Sequence, residues 1–347
     1  MKGKTNLIGL VLLAVLLAAS FTGCTTQKDS ASDEKLTVRI ANFPNITHFQ
    51  ALEGAADGRF QEALGDDAVI EWKTFNAGPA EIEALFAGEV DLGYIGPGPA
   101  INGYIQSKGD LQIIAGSTEA GAILVSRKDL NISNLKELSG KKIAVPQFGN
   151  TQHLSLLNIL KDNGLKDTTK GGTVDVIQAE NPDIKTLLDS GNIDAALVPE
   201  PWGSRLIKEV NANVVLDYNQ VWKEGKYATA VVIARIEFLE EHPEVVEKFL
   251  KAHVELTDYI NSSPDKAKAT INGRIKELTQ KDLPADVLDA AFTRLKVTYD
   301  PQKESVAEFA NLSYEAGFLK EQPNIENLFN LELLNKVLEE QGKQEIL

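Results

Sequence analysis

From Leu36 onward the chain repeats one arrangement: a short apolar, β-branched run, a turn rich in Gly, Pro or Asn, then a segment with helical spacing. That alternation is the signature of an α/β fold. In the first round Leu36–Ala41, Val69–Phe75, Val90–Ile95, Leu111–Ala115 and Ala122–Ser126 read as strands. In the second round Lys142–Val145, Thr173–Ile177, Ile193–Val198, Val214–Leu216 and Ala228–Ala234 do so. Thr47-x-x-Gln50 has the spacing of a capping box and opens a helix to about Ala63. Gly78-Pro79 opens another, with proline in its first turn. Thr151–Asp162, Pro182–Leu188 and Pro201–Lys208 are further helices, and after Arg235 the pattern is helical with no strand.

Two rounds of βα alternation, one before about Gly121 and one after, predict two lobes. Parallel sheets bind ligands at the carboxyl ends of their strands, so two such edges facing each other make a cleft. The charge balance of −15 disfavours a nucleic-acid partner, which needs a basic face. One cysteine excludes internal disulfides, C-x-x-C redox chemistry and thiolate zinc sites, and four histidines leave little room for a metal cluster. The expectation is no cofactor and no metal.

The N-terminus reads as an address. Lys2 and Lys4 precede an apolar run, Leu7–Ala19, of 13 residues. That is too short to cross ~30 Å of hydrocarbon as a helix and right for the core of a signal peptide. The lone cysteine follows in Ser20-Phe21-Thr22-Gly23-Cys24, which resembles a bacterial lipobox, with Phe21 standing where leucine is usual. The resemblance implies a signal peptide of residues 1–23 and a diacylated Cys24, two acyl chains giving a stable anchor. Residues 24–35 are small and polar, as a tether should be. The protein is then expected outside the cell membrane and held to it.

The strand-to-helix turns carry the candidate chemistry. Asp91-Leu-Gly-Tyr-Ile-Gly-Pro-Gly-Pro-Ala100 and Val145-Pro-Gln-Phe-Gly-Asn-Thr-Gln-His153 occur once in each round. A helix start offers unpaired N–H groups and about half a positive charge, so the pair suits a small anion; each turn alone also reads as an ordinary connection, with Asn150 a cap. His48, in Asn45-Ile-Thr-His48, is either an anion donor or a structural first-turn residue. In Pro199-Glu-Pro-Trp202, Trp202 is a cleft wall or a core residue, and Glu200 pairs a ligand ammonium or hinge donors. Phe43, Phe148 and Tyr227 are weaker cleft candidates that read first as core residues, and His242 and His253 read as solvated.

Taken together, Asp91–Ala100, Ala115–Arg127, Leu135–Pro146, Gly149–Leu154 and Pro199–Trp202 resemble the extracytoplasmic solute-binding proteins of ABC importers for sulfonate, taurine and nitrate, a likeness that spans about Leu36 to Leu319. The resemblance implies a two-lobed type II periplasmic-binding fold with two hinge crossings, near Glu119–Ile123 and Gly225–Thr229, which return the C-terminal helices to the first lobe, so that residues 36–121 with 230–347 form one lobe and 122–229 the other. It implies a monomer that hands its ligand to a membrane permease and its ATPase. It implies that Gly96, Pro97 and Gly98, with Asn150, Thr151, Gln152 and His153, hold an anionic head group. The loop Asn42–His48, with Phe43 and His48 in it, and the residues Glu200 and Trp202 would line the rest.

A sulfonate, with acceptors only and one charge, suits a pocket of N–H and O–H donors free of carboxylates. Phosphate carries a proton and wants an acceptor, and nitrate has no tail for aromatic walls. An organosulfonate is therefore the expected ligand; nitrate, bicarbonate and a thiamine-precursor pyrimidine remain alternatives. An enzyme on the same fold, a desulfinase or hydrolase, lacks support: there is no G-x-S-x-G elbow, no H-E-x-x-H and no Walker lysine loop, and the sole cysteine is assigned to the lipid. An adhesion or scaffold role would need repeats, which the sequence does not show.

Overall fold

The computed structural model describes residues 35–347. The signal segment, Cys24 and all of the tether up to Glu34 lie outside the described residues. Among the described residues eleven strands form two sheets. They are β1 (Leu36–Asn42), β2 (Ala68–Thr74), β3 (Leu92–Ile95), β4 (Leu111–Ala120), β5 (Ala122–Ser126), β6 (Lys142–Val145), β7 (Asp175–Gln178), β8 (Ala195–Pro199), β9 (Asn213–Leu216), β10 (Ala228–Arg235) and β11 (Leu295–Val297). The first sheet has the order β11-β4-β10-β3-β1-β2, and the second β7-β6-β8-β5-β9. β1 pairs in parallel with β2 and β3, and β6 with β7 and β8, as βα crossovers require. The strands β3, β5 and β8 are buried along their whole length, which explains their continuous apolar sequences: helices cover both faces.

Each sheet is the middle of a layered lobe. On one face of the first sheet Val38, Ile40, Tyr94 and Val232 meet Phe249 and Leu250 of the helix Pro243–Ser262. On the other, Ala41, Ile95, Val231 and Ile233 meet Ile101 and Phe309. In the second lobe Leu124, Ile143 and Leu197 meet Leu156 and Leu160. Ile123, Ala196 and Val198 meet Ile184 and Leu206.

The chain crosses between sheets twice, side by side. It leaves the first sheet at Ala120, turns through Gly121 and enters the second at Ala122, and it returns through Tyr227 into β10, beside β4. Gly121 has φ +81°, and a Cβ there would meet Leu295 at 2.2 Å, so both backbone and space demand glycine. The Ala120 N–H donates to the Tyr227 carbonyl (3.0 Å) and the Ala122 N–H to the Tyr227 hydroxyl (3.3 Å), fastening the two crossings together. These are the expected hinge positions.

Several local expectations change. The helix expected through Ala63 is two, α1 (Phe49–Asp57) and α2 (Arg59–Leu64), broken at Gly58, whose φ is +80°. Gln50 caps nothing. It is buried and its amide donates to Ser117 O (3.1 Å), Thr257 Oγ1 (3.0 Å) and Thr298 O (3.3 Å), while Asn45 caps the turn by accepting the Thr47 N–H (3.0 Å). The tail does contain a strand, β11, three residues long and so without readable periodicity; it covers the free edge of β4. His253, expected in solvent, is fully buried between the Tyr94 hydroxyl and the Gly116 carbonyl, each at 2.8 Å. Phe148 is 44% exposed and so not a core residue.

Beneath the first sheet lies Glu81, on α3 (Gly78–Phe86), fully buried with neither carboxylate oxygen partnered. Its side chain fills the notch left by Gly93, where a Cβ would fall 2.0 Å from Oε1. Burial raises its pKa well above 4.5. A folded pKa above the unfolded one means folding takes up a proton. That stability is full below pH 4.5 and declines as pH rises towards the folded value. Glu81→Gln, which mimics the protonated form, should therefore match the wild type in urea melts at pH 4.5 and exceed it by about 1–3 kcal/mol at pH 8. An identical difference at both pH values would show that Glu81 does not titrate on folding.

Candidate functional site

Six strand-to-helix turns, three from each sheet, meet between the lobes. From the first come the turns after β1 (Phe43, Asn45, Thr47, His48), β2 (Asn76, Ala77, Gly78) and β3 (Gly96, Pro99). From the second come those after β6 (Pro146, Asn150, Thr151, Gln152) and β7 (Asn181), with Pro199 at the end of β8. With Thr229 of the returning strand they enclose a cavity of about 30 Å³, comparable with the share one water takes in the liquid. The helices α3, α4 (Pro97–Ser107), α5 (Thr151–Asp162) and α6 (Asn181–Asp189) all begin at this wall. Four helix N-termini converging on one point give a positive field, although none of the lining residues is a lysine, arginine, aspartate or glutamate. An anion is favoured there and a cation is not.

The donors can be named. Asn150 is the N-cap of α5 and its Oδ1 accepts the His153 N–H (2.8 Å). The N–H groups of Thr151 and Gln152, first and second in the helix, have no intrahelical acceptor, and both residues line the cavity. His48 is buried, and its Nδ1 accepts the Phe43 N–H at 3.0 Å. Burial lowers its pKa to about 3, so the ring is neutral at physiological pH and its proton must sit on Nε2. Nε2–H is thus the free donor His48 offers. α4 contributes less than its sequence suggests: Pro97 and Pro99 have no N–H, and the Gly98 N–H is donated to Thr151 Oγ1 at 3.3 Å.

That last bond joins the two lobes, as do several others. A Cβ on Gly96 would fall 2.3 Å from Thr151 Oγ1, and one on Gly98 3.1 Å from the Thr151 nitrogen. Asn102 Nδ2 reaches Gly149 O (3.5 Å), Asn76 Nδ2 reaches Glu180 Oε2 (3.3 Å), and Lys161 pairs with Glu315 at 2.5 Å. Leu154 of α5 is fully buried in the apolar cluster of the first lobe. The lobes are shut on each other.

Of the twelve residues singled out for a ligand, Phe43, His48, Gly96, Asn150, Thr151 and Gln152 line this cavity together. Pro97 and Gly98 stand just behind the wall, in the first turn of α4. Asn42 is buried one residue before the wall, with both amide atoms unpartnered. His153 turns away: its ring lies between Phe148 and Phe318 (centroids at 5.0 and 5.5 Å), facing a separate cavity of about 640 Å³. Its Nδ1 accepts the Gly149 N–H (3.0 Å), and burial lowers its pKa to about 4.

Glu200 also turns away, because it closes the first turn of α7 (Trp202–Val210) from inside. Its carboxylate accepts the Ser204 N–H and O–H, both at 2.9 Å, and meets the Arg294 guanidinium at 3.4 Å. Burial pushes its pKa up to about 7 against the lowering effect of those partners. Trp202 stands on an outer chamber of about 460 Å³, its ring under the Arg205 guanidinium at 4.4 Å. The chamber shares Phe43, Asn45, Asn76 and Asn181 with the inner cavity and so forms its mouth. The sequence reading missed Asn76, Asn181 and Thr229, while Asn45 and Thr47 fall in the Asn42–His48 loop that it had singled out. All but Thr229 sit on turns after strands, the position that had marked the two glycine-rich loops.

The model of the NMT1-like family matches residues 31–273. The chain is 30% identical to the taurine-binding periplasmic protein of Escherichia coli (strain K12), over 79% of this chain and 84% of that one. In fold it is similar to the alkanesulfonate-binding protein from Xanthomonas axonopodis pv. citri bound to MOPS (TM-score 0.71, 18% identity, 86% of this chain and 99% of that one). It is also similar in fold to the periplasmic nitrate-binding protein from Synechocystis PCC 6803 (TM-score 0.74, 14% identity, 88% and 89%). With two sheets, two crossings and a cleft between them, the chain belongs to the NMT1-like family and has the two-lobed fold of periplasmic solute-binding proteins.

Proposed function

We propose that this protein is the extracytoplasmic substrate-binding component of an ABC importer, and that it captures an organosulfonate by closing its lobes and delivers it to the permease. The observation that carries the reading is the inner cavity itself: helix N-termini from both lobes, a neutral His48 donor and no carboxylate in the lining. A sulfonate accepts hydrogen bonds and never donates, so a wall of donors satisfies it fully. The taurine-binding relative and the alkanesulfonate-binding neighbour support the same ligand class. Because the ligand touches both lobes only when they are shut, binding shifts the hinge equilibrium towards the closed form that the permease reads.

We take the lobes to be residues 36–121 with 230–347, and residues 122–229, and the protein to act as a monomer anchored through lipid on Cys24. We infer binding without turnover. The His48 Nδ1 is spent on Phe43, which leaves Thr47, Thr151 and Thr229 with no base to activate them. Calorimetry of the purified protein with ethanesulfonate, taurine, nitrate, bicarbonate and a pyrimidine tests the ligand class. Tight binding of nitrate or the pyrimidine, with none of either sulfonate, overturns the reading. Recovery of altered ligand by mass spectrometry would overturn the absence of catalysis. Thr151→Ala and Asn150→Ala should each weaken sulfonate binding by about 1–2 kcal/mol. Unchanged affinity in both variants would remove α5 from the site.

A further inference from the structure

The inner wall carries a buried polar atom that a sulfonate cannot use. Asn181, at the start of α6, is only 8% exposed, and its Oδ1 is buried without a partner. It lines both the inner cavity and the outer chamber, so it stands at the neck between them. A buried carbonyl oxygen is an acceptor awaiting a donor. The sulfonate head has no donor to give, but its tail, which must pass this neck to reach the chamber, can carry one.

We propose that Asn181 is a specificity-determining residue that selects sulfonates bearing an amino or hydroxyl group on the carbon chain; this rests on the sulfonate reading above. The surroundings agree with a polar tail. Asn76, on the opposite lobe, lines the same neck and donates to Glu180, the residue before Asn181, at 3.3 Å. Further out, the cationic side chains of Lys185 and Arg205 are both engaged by Glu209, so they leave no strong field to repel an ammonium. The cleft thus offers donors for the head and, at the neck, an acceptor for the tail.

Calorimetry with 2-aminoethanesulfonate, 2-hydroxyethanesulfonate and ethanesulfonate tests this, the ratio of affinities being the readout. The purified wild-type protein is expected to bind the first two about tenfold more tightly than ethanesulfonate. In Asn181→Leu the ratio should fall towards one, whatever happens to absolute affinity, and Asn181→Ala supplies the same measurement should the leucine variant not fold. Two outcomes overturn the proposal and leave the sulfonate reading standing: a wild-type ratio near one, or a tenfold ratio retained in the variant. Failure of the wild type to bind all three would instead overturn the sulfonate reading, and this inference with it.

Discussion

Gly96→Val should weaken ligand capture by about a hundredfold while leaving the fold intact. Gly96 has φ −69° and ψ 149°, an ordinary extended conformation that any residue can adopt, so its smallness is not a backbone requirement. What it supplies is room. A Cβ would lie 2.3 Å from Thr151 Oγ1, 3.4 Å from the Thr151 Cβ and 3.6 Å from the Thr229 carbonyl, and the first two of these atoms belong to the opposite lobe. Thr151 can rotate its hydroxyl away from a single methyl group, so Gly96→Ala should cost about tenfold in affinity. The two methyl groups of valine cannot be accommodated this way, and the loss should reach about a hundredfold, equivalent to about 2.7 kcal/mol. The clash exists only when the lobes are shut, so urea stability should change little. Small-angle scattering should show no ligand-induced compaction. Thr151→Ala added to Gly96→Ala should recover part of the closure by removing the obstructing atom. A Gly96→Val protein that binds sulfonate within a few-fold of wild type and compacts would refute the contact as the limit of closure.

That contact also corrects the simplest picture of the cleft as two equal mouths of free amides. The lobes contribute unequally. α5 presents two free N–H groups beside a capping asparagine, while α4 begins with prolines at its first and third positions and spends its single early N–H on Thr151. The first lobe therefore offers its donors from the turn after β1, above all His48. The buried bonds behind that turn explain its rigidity. Thr47 O accepts from Thr118 Oγ1 at 2.9 Å, and Gln50 ties the following helix to Ser117 and Thr257. The ligand wall on this side is thus anchored to β4 and to the C-terminal helices, so closing the hinge brings a rigid surface to the anion.

How much of this was legible in the sequence follows from the range of the interactions. Periodicity and turn residues are local, and they placed ten of the eleven described strands and the two glycine-rich loops at Gly96 and Thr151, while the two crossings came from the family resemblance. The direction in which a side chain points at a helix start is not local. Asn150, Thr151 and His153 share one turn, yet His153 is rotated onto Phe318, far along the chain, and leaves the cleft. Glu200 was drawn inward by Arg294, nearly a hundred residues later. Asn76 and Asn181 were invisible as a pair because only the closed hinge brings their turns to one neck. His253 looked solvated on an acidic helix because its partners, Tyr94 and Gly116, lie on strands of the first round.

Arg294→Met should lower stability strongly at alkaline pH and weakly at acid pH. Arg294 lies just before β11, and it reaches across to the second sheet's lobe. Its Nε donates to Asp217 at 2.8 Å, and its Nη1 meets Glu200 at 3.4 Å and Ser204 Oγ at 3.1 Å. Glu200 is fully buried, and desolvation already holds its pKa at about 7, against the lowering contributions of Ser204 and then Arg294. Removing the guanidinium removes a lowering contribution, so the folded pKa must rise further. A folded value above the ordinary 4.5 gives stability that is complete below pH 4.5 and is lost as pH climbs through the folded value. In the wild type that window closes near pH 7; in the variant it extends higher. At pH 5 Glu200 is already protonated in the folded state, and the variant loses only packing and neutral hydrogen bonds. At pH 8.5 it must either bury an unpaired charge or bind a proton against the gradient, and the loss should exceed that at pH 5 by up to about 2 kcal/mol. Urea unfolding at the two pH values measures the difference, and Glu200→Gln in the same background should erase most of it. A variant equally destabilised at both pH values would mean that Arg294 acts through Asp217 or packing alone, with Glu200 never charged in the folded protein.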